Sequence, residues 1–348
     1  MEIHVYDRSL RRLGHIENHT SLQWHRKYYE CGTFELHCPV TAENLRLLKP
    51  GNVITKGDNK LEAAVIRGDQ TEEESTLVNE ITRNGKFLPV YLGDRLTGPL
   101  FNYNGTVEDA MRFMLGRMAT VPLLQIAEGT GDKTKIQFQA TYKNVLEYLT
   151  KLARYAEIGF RVVPDFKKKT MTFETYKGID RTQAQGKNPR VIFSESYDNL
   201  NQAKHNYSDE SMKTKVIVGG AGEGLNRVYV TVGGGSGFDL REVFLDAKDI
   251  NKDELTEAAY LAALRTRGQE YLNENKVFEN FEAEAEADVN FTYQKDYDLG
   301  DVVTVKKKKW GTSQNLRITE LCEVYEYGGM YVVPTFGDAL PTAIKWDD

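Results

Sequence analysis

Cysteine is scarce: Cys31, Cys38 and Cys322 are the three in 348 residues. An odd, small and scattered set builds no disulfide framework, so reduced thiols are expected. Cys31, His37 and Cys38 make no metal motif, because their spacing matches no common zinc pattern. The alternation of "TFELHCP" also puts His37 and Cys38 on opposite faces of a strand. Long apolar runs are missing too. No stretch approaches the roughly 18 residues of a membrane span, and "MEIHVYDRSL" lacks the basic and apolar start of a signal peptide. The expectation is a soluble chain made in a cytoplasm, with no membrane insertion. A basic excess is absent as well. Lys plus Arg total 45 against 51 for Asp plus Glu, a formal charge of -6, with a pI near 5.7. Dedicated nucleic-acid binders usually lie above about 9.

Catalytic signatures are equally thin. The glycine run "VIVGGAGEGLNRVYV" has Leu225 and Asn226 where a phosphate loop needs Lys and Ser or Thr, and a strand resumes at Val228 in place of a helix. It reads as a hairpin loop. There is no serine elbow and no paired-histidine motif, and His205 stands alone. Carboxylates are plentiful, but a glycan hydrolase needs two at a set separation, which spacing along the chain does not reveal. No cofactor and no metal are expected.

What the chain does have is alternation. "EIHVYD", "RLGHIE", "SLQWHRKYY", "TFELHCP", "NVITKG", "EAAVIRGDQ" and "TLVNEITRNGKFLPVYL" alternate polar and apolar between Gly and Asp turns, the pattern of an antiparallel barrel or sandwich. From Gly105 the period lengthens. "TVEDAMRFMLGRMA" predicts a helix behind a Thr106–Asp109 capping box, and "YKNVLEYLTKLARYAEIG" a second, with Gly159 as its stop. A hairpin with Lys167, Lys168 and Lys169 at its turn follows. Strands then resume, interrupted by one helix opened by Asn251 or Asp253. The organisation expected is mainly β with an α+β insert: a β-barrel over 1–104, a small α+β domain over 105–185, and a second β-barrel over 186–348 carrying a helix at about 252–275.

Two segments are candidate sites. "DYDLGDVVTVKKKKWG" holds Lys306, Lys307, Lys308 and Lys309 before Trp310, at a connection between two strands. In a net-acidic chain this reads as a solvated hairpin tip, and as an exposed docking tip if it has a function. "FEAEAEADVNFTY" alternates Glu282, Glu284, Glu286 and Asp288 with small residues, so a strand places all four acids on one face. There is also an internal echo: Gly51, Asn52, Val53, Ile54, Thr55 against Gly300, Asp301, Val302, Val303, Thr304.

These strand and turn patterns resemble a known family, the siphovirus "gene product 37-like" tail proteins. The resemblance runs through "MEIHVYDRSLRRLGHIENHTSLQWHRKYYECGTFELHCP", then "VIVGGAGEGLNRVYV" and "REVFLDAKDI", then "DYDLGDVVTV", "LRITELCEVYEYGG" and "VVPTFGD", covering nearly the whole chain. None of the motifs is catalytic. The resemblance implies a virion tail-tip or baseplate hub, made in a bacterial host cytoplasm, with two tail-tube-like barrels per chain. Three chains would form a ring of pseudo-sixfold symmetry. Its implied partners are itself as a homotrimer, the tail tube or distal tail protein, and a tail-tip, spike or lysin protein. DNA would pass through without specific binding. The acidic strand has two readings: a solvent-facing strand of a half-exposed sheet, or a strand whose four acids face such a channel and repel phosphate. Because the sequence ends at Asp348, lysin activity is expected in a partner. The alternative is a tail-associated enzyme that degrades the cell envelope.

Overall fold

In the strand Ser21–Lys27, Leu22, Trp24 and Arg26 turn inward, and in Thr33–Pro39 so do Phe34, Leu36 and Cys38. Successive side chains of a strand point to opposite faces, so this phase buries one face and wets the other. The computed structural model describes residues 1–337 apart from 58, 60, 76–77, 100, 118–119 and 285–289; for 72–75, 78, 201–203, 225 and 282–284 it describes the backbone alone.

Thirteen of the described strands join one sheet. Eleven run in the order Asn201–Ser208, Phe278–Glu284, Gly329–Gly337, Thr312–Glu326, Ser21–Lys27, Thr33–Pro39, Val78–Phe87, Ala64–Ser75, Val53–Lys56, Ile3–Tyr6, Arg12–Ile16. Val302–Lys307 branches from Thr312–Glu326 and carries Ile192–Ser194. The mainly β class expected from the sequence is present; among the described strands no sheet closes into a barrel. Closing the first row would need Ser21–Lys27 to pair with Arg12–Ile16. Its edge is instead taken by Glu320 to Tyr325, in register from Glu320 opposite Lys27 to Tyr325 opposite Leu22. Alternation reveals that a segment is a strand, but not which edges meet.

The internal echo is a structural repeat. Gly51 and Gly300 both take left-handed backbones, φ 91° and 93°, a conformation that costs glycine least. Gly51 N–H donates to the Ile66 carbonyl at 2.7 Å and Ile66 N–H to that of Asn52 at 2.9 Å; Gly300 and Ile318 repeat this with Ile318 and Asp301, both at 2.8 Å. The register then shifts after Ile66 in one row and after Ile318 in the other. Outward from there the rows match strand for strand: Val78–Phe87, Thr33–Pro39 and Ser21–Lys27 in the first, Gly329–Gly337, Phe278–Glu284 and Asn201–Ser208 in the second. The first row packs around Trp24, Phe34, Leu36 and Ile81, the second around Phe193, Phe281, Tyr297 and Phe336.

Between the rows in sequence lie the helices Val107–Arg117 and Val145–Ala156. They bury Met111, Met114, Leu149 and Leu152 against the antiparallel pair Phe101–Thr106 with Lys135–Ala140, and against the sheet Leu124–Ile126, Thr170–Tyr176, Gly159–Asp165. The Thr106 hydroxyl accepts from Asp109 N–H at 3.2 Å, as the capping box requires. The second helix ends differently from expectation: Glu157, at φ 53°, is its left-handed cap. Gly159 begins the next strand, where a Cβ would lie 2.5 Å from the Tyr28 ring.

A further difference concerns "KVIVGG", "RVYVTVGG" and "REVFLDA". These strands, Lys215–Gly219, Tyr229–Gly233 and Glu242–Asp246, form a separate three-stranded sheet under the helix Glu257–Glu274 and take no part in the second row. Val216 and Val218 bury against Tyr260, Ala263 and Leu264. The helix cap is Thr256, whose hydroxyl accepts from Ala259 N–H at 3.3 Å, so neither Asn251 nor Asp253 fills that role.

Candidate functional site

The lysines occupy the connection between Val302–Lys307 and Thr312–Glu326, which turns through a short 3-10 segment, Lys308–Trp310, and a left-handed Gly311. Lys308 and Lys309 are exposed. Lys306 reaches Gln183 Oε1 at 2.5 Å. Lys307 is buried, pairs with Glu195 at 2.7 Å and lies 5.4 Å from the Trp310 ring centre. Trp310 packs on Phe281 and His205. The expected fully exposed tip is therefore two solvated lysines above a fastened base, because the strand's inward phase falls on Lys307.

Of the acidic segment, Glu282 and Glu284 lie in the strand Phe278–Glu284, opposite Lys204 and Asn201 in backbone register. Glu286 and Asp288 lie outside the described residues, as do the side chains of all four. Phe281 is buried. Tyr293, expected to continue the strand, instead makes a single bridge to Tyr297.

The most concentrated chemistry is a buried charge network where the two rows meet, which sequence reading missed. Arg26 Nε donates to Glu62 at 2.5 Å, and its Nη1 to Asp298 at 2.5 Å and Tyr293 at 2.7 Å. The Trp24 indole donates to Glu62 at 2.9 Å. Across the seam, Glu323 accepts from Tyr293 at 2.8 Å and Tyr325 at 2.6 Å, and pairs with Lys56. Burial pulls the Lys56 ammonium down to about 7, with Glu62 opposing. Burial would raise Glu62, but Arg26, Lys56 and the Trp24 bond together hold it below the usual carboxylate range. The signal was available: in "SLQWHRK", Arg26 shares the inward phase of Leu22 and Trp24, and a buried arginine needs acids.

Beside the network stands Tyr28, fully buried. Its hydroxyl lies 3.3 Å from the carbonyls of Glu157 and Tyr176 and 3.4 Å from Gly178 N–H. Its ring packs on Gly300 and Gly159, under the Arg317 guanidinium at 5.3 Å. One side chain thus touches the first row, the α+β segment and the second row.

This arrangement holds the molecule together and has no room for a substrate. The cavity beside Arg26 and Glu62 measures about 20 Å³, enough for a single water. In the glycine-rich hairpin, Arg227 donates to the Gly219 and Gly220 carbonyls at 2.7 and 2.9 Å, so the loop presents acceptors and no phosphate cradle there. Among the described residues, donor atoms of Glu2, His15 and Glu17, all exposed, lie within 4.8 Å of one another. Cys31, Cys38 and His37 form no such cluster among them, and no described helix is long and apolar enough to cross a membrane.

Comparison with known proteins gives a consistent result. Residues 2–338 match the family model described as "Siphovirus ReqiPepy6 Gp37-like protein". The fold is similar to a 43 kDa tail protein of prophage MuSo2 from Shewanella oneidensis: TM-score 0.60 and 15% identity over 97% of this chain and 98% of that one. It is also similar to a tail protein from Neisseria meningitidis MC58, with TM-score 0.59 and 12% identity over 97% and 96%. Prophage tail protein gp18 from Listeria monocytogenes EGD-e follows with TM-score 0.53 and 12% identity over 96% and 94%. No curated protein matches the sequence.

Proposed function

As the chain belongs to the siphovirus Gp37-like family, we propose that it is a structural, non-enzymatic component of a phage or prophage tail. It acts as a hub at the tail tip or baseplate of the virion. It assembles as a trimeric ring that joins the tail tube or distal tail protein to a tail-tip, spike or lysin protein, and DNA passes through the ring. The observation that carries the ring is the internal repeat: two matching strand rows in one chain let three chains present six similar units. Domains of this size with their own cores could fold apart, but here the rows share a sheet and a buried ion network, which suits a part that bears load. The acids Glu282, Glu284, Glu286 and Asp288 face the channel in this reading. Particles with all four changed to lysine should deliver DNA poorly, and normal delivery would remove the acids from the channel.

The alternative, an enzyme acting on the cell envelope, finds little support in carboxylates enclosed against a cavity of about 20 Å³. A wall-degradation assay separates the two readings. The hub releases no muropeptides; measurable release that survives repurification would favour the enzyme.

A further inference from the structure

A ring requires an interface between copies, and the repeat indicates its location. Within one chain the seam is formed by Glu320 to Tyr325 of the second row lying antiparallel to Leu22 to Lys27 of the first. The registers align the rows residue by residue. Ile66 lies opposite Gly85 and Ile318 opposite Phe336, and Gly68 opposite Asn84 as Glu320 is opposite Thr335. Next outward, Phe34 lies opposite Gly85 and Phe281 opposite Phe336; beyond that, Trp24 pairs with Phe34 as His205 pairs with Phe281. Gly68 therefore stands where Glu320 stands, and Ser208 where Lys27 stands.

Each partner in the intrachain seam has an equivalent, and among the described strands each equivalent has an edge along which no strand pairs, as does Arg12–Ile16 at the far end of the sheet. Ala64–Ser75 pairs along one side with Val78–Phe87; on its other side Ala64 and Val65 lie opposite Ile54 and Val53, and the described backbone bonds end at Ile66, which bonds Gly51 and Asn52. Asn201–Ser208 ends the sheet, with Phe278–Glu284 as its described neighbour. Neither segment contains proline, and Asp69, Thr71, His205 and Tyr207 are exposed. The Gln70 carbonyl accepts from Arg83 at 2.9 Å, but no described strand pairs along either edge, and an edge without a paired strand is a template for another.

Resting on the ring reading, we infer that a second copy of this chain occupies that edge: the segment Gly68 to Thr71 of one chain pairs antiparallel with Asn201–Ser208 of the next, repeating the intrachain seam. Transferring its register puts Asp69 opposite Tyr207, Gln70 opposite Asn206 and Thr71 opposite His205. Such a contact is head to tail, with different surfaces on the two partners, so it propagates around an axis until the ring closes. Intrachain and interchain seams then alternate, two per chain.

Cysteine pairs read this register directly, because residues facing each other across antiparallel strands have Cβ atoms about 4.5–5.5 Å apart, within reach of a short cross-link. Asp69→Cys/Tyr207→Cys and Gln70→Cys/Asn206→Cys cover both kinds of facing pair, and Asp69→Cys/Lys204→Cys is the off-register control. Each full-length variant is cross-linked with a short bismaleimide, as purified protein and within assembled particles, and run on a denaturing gel. The inference predicts dimer and trimer bands from a facing pair and none from the control or the single variants. Rings seen by electron microscopy with no cross-link from either facing pair would overturn the seam and leave the ring standing. Monomers in both preparations, with neither rings nor cross-links, would overturn both. Equal cross-linking by the control would also overturn the register.

Discussion

Glu270 sits 8% exposed beneath the helix Val145–Ala156, 3.5 Å from the Tyr148 hydroxyl. Burial pushes its carboxyl up from 4.5 to about 7, with Arg267 and Lys151 opposing. A raised carboxyl pKa means that the folded chain holds a proton the unfolded chain has released, so this group's contribution falls as pH rises through about 7. Glu270→Gln should therefore be more stable than the parent at pH 8 by on the order of 2 kcal/mol and nearly equal to it at pH 5. Urea denaturation at the two pH values checks this, and the same difference at both would remove the buried charge as the cause. At the lysine tip, Lys308→Ser and Lys309→Ser should change stability by less than about 0.5 kcal/mol. Lys307→Ser should lower stability more than either, because it removes the buried lysine stem from beside Trp310. Equal melting temperatures for all three would contradict the fastened base.

At the scale of elements, the seam between Ser21–Lys27 and Thr312–Glu326 depends on residues whose roles are set by what lies opposite them. Arg26→Met leaves the buried Glu62 without its hydrogen-bonded guanidinium and should destabilise by about 3–5 kcal/mol, since a buried acid stripped of its partner keeps its desolvation cost. Chemical denaturation measures it; a loss below about 1 kcal/mol would mean that the network is wet and weak. Gly300→Ala should be comparably damaging, because φ 93° disfavours a side chain and the added Cβ would lie 2.3 Å from the Tyr28 ring. These elements were partly legible beforehand. Strands and helices announced themselves by period, as did the Thr106–Asp109 cap, and the Gly51 and Gly300 turns by their shared neighbours. The seam was not legible, because "LQWHRK" and "ELCEVYE" carry the same alternation whether they close two barrels or join two rows. The charge network was hidden for a related reason: Lys56, Glu62 and Glu323 look like surface residues until Arg26 and the two tyrosines are placed beside them.

For the whole molecule, the repeat is the feature with the longest reach. Two rows share turn geometry, register shift and strand order and are fused through one seam, and a head-to-tail contact between such units makes a ring where its rotation closes. The strands of the separate sheet under Glu257–Glu274 and of the α+β segment belong to other sheets and do not interrupt that row. The central claim is the ring, and class averages from electron micrographs of tail particles, or of the purified chain at high concentration, test it most directly. The account predicts annular averages with threefold symmetry and six similar densities around an open channel. Particles in which this chain is a single copy off the tail axis would contradict it.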